Sequence, residues 1–148
     1  MVPTARDEAD GRAVPMAKQI ARAAIAYEQE TTGRVPKSVT VVLSDDTLVI
    51  TLHGALSPAE KALVTSPDGA AQVQEFHRQL FANASDRLRQ EIKRITGVEV
   101  REATAEVESG TGTVVKVFTS GTVVQVFLLA HNVLPDSWSG SGPDNIQR

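Results

Sequence analysis

Residues 38–54, SVTVVLSDDTLVITLHG, decide the fold. Val39, Val41 and Leu43 alternate with Ser38, Thr40 and Val42, and Leu48, Ile50 and Leu52 alternate with Val49, Thr51 and His53. Side chains of a strand point to opposite faces in turn, so two period-two runs this close predict an antiparallel hairpin with one apolar face. Ser44-Asp45-Asp46-Thr47 supplies the turn, because short acidic side chains bond nearby backbone N–H groups. The same pair of aspartates offers too few oxygens for a calcium cage, and the turn explains them fully.

On the N-terminal side of the hairpin the period changes. Ile20, Ala24, Tyr27 and Thr31 recur at steps of four, three and four, which predicts a helix over about 15–31 with one buried face. Gly33 ends it by taking the left-handed conformation, and Pro36 turns Val35 toward extended geometry. The glycine and proline of Gly33-Arg34-Val35-Pro36-Lys37 are thus the joint between a helix and a sheet. The two cations are left without a structural reason.

On the C-terminal side, Ser57-Pro58-Ala59-Glu60 is a capping box opening a short helix over about 58–65. Ser66-Pro67-Asp68 opens a longer one, expected to reach Thr96 as a single rod near 40 Å, with Val73, Phe76, Leu80, Ala84, Leu88, Ile92 and Ile95 as its stripe. Gly97 closes it. Val98 and Val100 then share one strand phase while Ala103, Ala105 and Val107 share the other, so a bulge is expected at Arg101-Glu102. TVVKVF at 113–118 and TVVQVF at 122–127 read as a hairpin turning at Ser120-Gly121, or as one long strand with a glycine bulge.

The expected architecture is α+β: a two-layer sandwich in the order α-β-β-α-α-β-β, with a possible further strand. Its sheet is mostly antiparallel, with the helices on one face. A flexible tail over 1–13, one domain over 14–130 and an irregular tail over 131–148, with Trp138 folding back, complete the organisation. Val42, Val49, Val114, Phe118 and part of 123–129 make the other sheet face too apolar for water alone, which predicts a homodimer.

Composition excludes several classes of function. The chain has 148 residues, no cysteine, six aromatics and a net charge of −3. Disulfides, thiolate metal sites and cysteine nucleophiles are absent for want of the residue. The acidic balance and few aromatics argue against nucleic acid, and no glycine-x-x-glycine clamp of the KH type is present. Neither a run of about 18 apolar residues nor an apolar leader core occurs, so neither membrane insertion nor secretion is expected, and the cytoplasm is the expected location.

No catalytic constellation is visible. His53, His77 and His131 are too scattered for a zinc site and read as solvated or core-edge histidines, and no metal or cofactor is expected. Ser57 lies near His53, but capping accounts for it and no nucleophile elbow surrounds it. SGTGT at 109–113 lacks the lysine of a phosphate loop and leads into a strand. Glu60, Glu99 and Glu106 are carboxylates that the fold could bring together. Arg34 and Lys37, beside the N–H groups of a glycine turn, form a candidate site for a small anion such as bicarbonate, a carboxylate or phosphate, strengthened if His53 or Glu60 faces the same pocket.

The order of motifs resembles the MpsC-like family. A helix ending in GRVPK, a valine-rich hairpin with an acidic turn, LSPAEKAL, a long helix ending in ITGVEV and a strand pair around ESGTGTVVKVF carry the likeness, over about residues 16–119. Val35 stands where the family carries the middle glycine of a glycine-arginine-glycine-proline-lysine string. The family is named for a proposed component of a sodium-translocating, membrane-potential-generating system. The resemblance therefore implies a small cytosolic accessory protein connected with ion or bicarbonate transport, docking onto an integral membrane partner. It supplies no catalytic residues.

Overall fold

The structure, a computed structural model, describes residues 14–108, 121–133 and Trp138. Its elements are α1 (Met16–Thr32), β1 (Ser38–Ser44), β2 (Thr47–His53), α2 (Pro58–Leu63), α3 (Pro67–Ala84), α4 (Asp86–Thr96), β3 (Val100–Glu108) and β4 (Thr122–Leu129). The α+β reading is correct. The strands form one antiparallel sheet in the order β1-β2-β4-β3, with α1 packed over β1 and against α4, and α3 over β3.

The hairpin forms in the register that its alternation requires, Val39 opposite Leu52, Val41 opposite Ile50 and Leu43 opposite Leu48. Leu48, Ile50 and Leu52 are wholly buried. Each such side chain contributes about 1.5–3 kcal/mol on leaving water, which fixes the face that β2 turns inward. Asp45 takes the turn's left-handed position at φ 56°. Phe81 joins sheet to helices, its ring 5.7 Å from Phe127 of β4 and 6.1 Å from Tyr27 of α1.

The local punctuation is as expected. Gly33 caps α1 at φ 78° with its N–H on Gln29 O, and Gly97 caps α4 at φ 77°. The register shift in β3 falls between Val100 and Glu102. Trp138 packs against the core.

Two expectations need correction. The rod over 66–96 is two helices meeting at Ser85, where Asn83, Ser85 and Asp86 are poor helix formers and Asp86 favours a new N-terminus. Its stripe is also shifted in the first half. Gly69, Val73, His77 and Phe81 are the buried row of α3, whereas Phe76 is 54% exposed. Leu88, Ile92 and Ile95 keep their predicted place in α4. The two edges of β4 are occupied by β2 and β3. The 113–118 run, the 109–113 turn and the two tails apart from 131–133 and Trp138 lie outside the described residues.

Candidate functional site

The end of α1, the whole of α2 and the first half of α3 enclose a groove with a cavity of about 530 Å³. The sequence places it. Gly33 stops α1 so that Thr31, Thr32 and Arg34 come to its rim. The capping box turns the chain at Ser57 and brings Glu60 and Leu63 to the opposite wall. Gln72, Val73 and Phe76 of α3 complete the lining. Gly69 permits this approach of α2 to α3, since a Cβ there would stand 1.9 Å from the Leu63 carbonyl oxygen.

One side of the groove is polar and engaged. Glu60 Oε1 accepts from the Ser57 backbone N–H at 2.8 Å, and the Glu60 N–H donates to Ser57 Oγ at 3.1 Å. Glu60 Oε2 lies 2.7 Å from Nε2 of His77, which is buried. Burial alone would raise the Glu60 carboxyl, but the Ser57 N–H and then His77 outweigh it and hold the group below the usual carboxylate range. With Glu60 ionised, His77 Nε2 carries the hydrogen and donates it.

Behind this pair stands Glu28, one helical turn before Thr31 and Thr32. It is only 3% exposed, and its Oε2 has no hydrogen-bond partner among the described residues. Burial first, then the charge on Glu60, pushes its carboxyl up to about 7. Burial and then the neighbouring Glu28 raise the Tyr27 hydroxyl as well.

The rest of the lining is apolar and open. Leu63 and Phe76 are 45% and 54% exposed, and Val35 beside Arg34 is 55% exposed. Arg34 makes no ion pair among the described residues, and its backbone N–H alone is bonded, to Thr32 Oγ1 at 3.2 Å. A guanidinium beside an apolar patch can take a carboxylate or phosphate in a forked pair while the patch holds an attached apolar group.

Of the four residues singled out in the sequence, the fold brings Arg34 and Glu60 to this groove and leaves Lys37 and His53 outside its lining. Those two meet each other instead. The Lys37 N–H donates to His53 O at 2.8 Å, the Lys37 methylenes lie across Gly54, and His53 Nε2 is 3.1 Å from Thr40 Oγ1. The three carboxylates do not converge. Glu99 pairs with Lys93 at 2.9 Å, and Glu106 with Arg78 at 3.4 Å, both at the surface. Among the described residues no group of three or more acidic, histidine or cysteine side chains is placed to hold a metal ion.

Glu28 and the role of His77 escaped the sequence reading. The signal for Glu28 was present, because it continues the Ile20, Ala24 row by one more step of four, where a carboxylate must be buried. His77 follows Val73 by the same step, but Phe76 drew the stripe to itself.

A family model described as "Na+-translocating membrane potential-generating system (MpsC)" matches residues 14–121. The uncharacterized protein YbcI of Bacillus subtilis (strain 168) is 28% identical over 100 residues, which is 68% of this chain and 81% of that protein. No solved structure matches the chain. The matched span covers α1 through β3 and so contains every residue of the groove.

Proposed function

The chain belongs to the MpsC family, and from that premise we propose that it is a non-enzymatic accessory module of an ion-transport system, engaging a partner through the groove between α1, α2 and α3. The observation that supports this reading is the pairing of an unengaged Arg34 with exposed Leu63 and Phe76 around one cavity. The occupant it fits is a segment of an integral membrane component carrying an acidic side chain next to apolar ones. The acid pairs with Arg34 and the apolar side chains cover Leu63 and Phe76, which satisfies both halves of the surface at once. No described helix is long and apolar enough to cross a membrane, so in this reading the module docks onto its partner, from the cytoplasm. A second copy occupies the outer sheet face at Val42, which is 51% exposed, beside the half-buried Val49 and Val126.

The test is sedimentation with membranes of the cell that encodes the protein. Wild type is expected to co-sediment, and the Arg34→Glu, Phe76→Ser double variant to stay in the supernatant with its unfolding midpoint preserved. Failure of the wild type to associate removes the accessory role.

A second reading, a sensor of small anions such as bicarbonate, is favoured by the position of Arg34 at the cavity rim. Here a thermal-shift screen against bicarbonate, phosphate and sulfate should give a saturable stabilisation that the Arg34→Ala, Lys37→Ala double variant loses.

A further inference from the structure

Glu28 is a carboxyl group buried without a full set of partners in a chain that solves its other capping and turn problems economically. It sits on the buried face of α1, between Ala24 and the two threonines of the groove rim, and Glu60, paired with His77, is its charged neighbour. The charged and titratable groups brought to this place, among the described residues, are Tyr27 and Glu28 from α1, Glu60 from α2 and His77 from α3, and Glu60 shares the groove lining with Arg34.

We propose that Glu28 makes the groove proton-responsive, its gain or loss of a proton being transmitted through Glu60 and His77 to the capping box and to the field around Arg34. This rests on the groove being the working surface of the protein, as argued above. Glu60 is fixed at both oxygens, by the Ser57 N–H and by His77, so it cannot swing away from a new negative charge. When Glu28 ionises, two carboxylates share a poorly solvated space, and either the His77 contact tightens or the Ser57 end of α2 moves. The extra negative charge also opposes that of Arg34. An acidic occupant is therefore held more tightly when Glu28 carries its proton, and the groove releases it as pH rises through neutrality.

The test is an NMR titration of the free protein from pH 5 to pH 9, following the Glu28 side-chain carboxyl carbon and the amides of Ser57 and Glu60. Needing no partner, it fails or succeeds separately from the membrane-binding test of the groove. The Glu28 carbon is expected to titrate within about one unit of 7. The two amides should follow that midpoint, and Glu28→Gln should erase it from both. Glu60→Gln, which preserves the capping box, should move the Glu28 midpoint downward, an effect that a purely structural role for Glu60 does not give. A Glu28 carbon titrating in the ordinary carboxylate range, or an amide profile unchanged in Glu28→Gln, overturns the proposal.

Discussion

At the scale of single residues, burial of Glu28 has a cost that pH controls. The folded chain holds this proton with a pKa of about 7, against 4.5 for the free side chain. Folded protein therefore binds more protons than unfolded protein between these values, and the contribution of Glu28 to stability falls as pH rises from about 4.5 to 7, then stays at its lower level. Glu28→Gln removes the charge at nearly constant shape. Its stability relative to wild type should improve by roughly 2–3 kcal/mol between pH 5 and pH 8, from a shift of that size at a buried site. Urea unfolding of both proteins at the two pH values measures it, and a constant difference contradicts the assignment. Arg34 was legible as a residue without a structural duty because Gly33 and Pro36 explained everything else in their loop. Lys37 looked equivalent in the sequence. Only the fold shows its stem committed to Gly54, outside the groove.

At the scale of elements, α2 is six residues long with no buried side chain of its own, so it persists through its termini and not through a core face. Ser57→Ala deletes the Oγ acceptor of the capping box and should cost about 1 kcal/mol in urea unfolding. The loss should appear first as faster amide exchange within α2, the wall carrying Glu60 and Leu63. Gly69→Ala is harsher, since the new methyl group meets the backbone of Leu63 and not a side chain that can turn aside. A cost of about 3 kcal/mol, the upper end for overpacking, is expected, or a displaced α2 seen as lost groove geometry. Element types and caps were readable because they depend on neighbours in the chain: Gly33, Gly97, Ser57 and Ser66 each act within four residues. The break at Ser85 was not, because an unbroken apolar period runs across it. The phase of α3 was not either. Val73 is consistent with both the 73-76-80 row and the 73-77-81 row, and only packing over β3 chooses the second.

At the scale of the whole molecule, the described residues form a four-stranded antiparallel sheet with α1 packed over β1 and α3 over β3. The sequence made this legible through the hairpin at 38–54, but not the pairing of β4 between β2 and β3, which depends on contacts far apart in the chain. If a second copy covers Val42, Val49 and Val126, sedimentation at micromolar concentration should give twice the 15.8 kDa chain mass, and Val42→Lys should halve it. A clean monomer of the wild type contradicts that arrangement. The groove was half legible: Arg34 and Glu60 were singled out, while the apolar half formed by Leu63 and Phe76 depends on where α2 and α3 cross. Its proposed role as the working surface is tested by co-sedimentation with membranes. Wild type is expected to bind, and the Arg34→Glu, Phe76→Ser variant, folded and equally stable, is expected not to. Equal binding by the two proteins would contradict it.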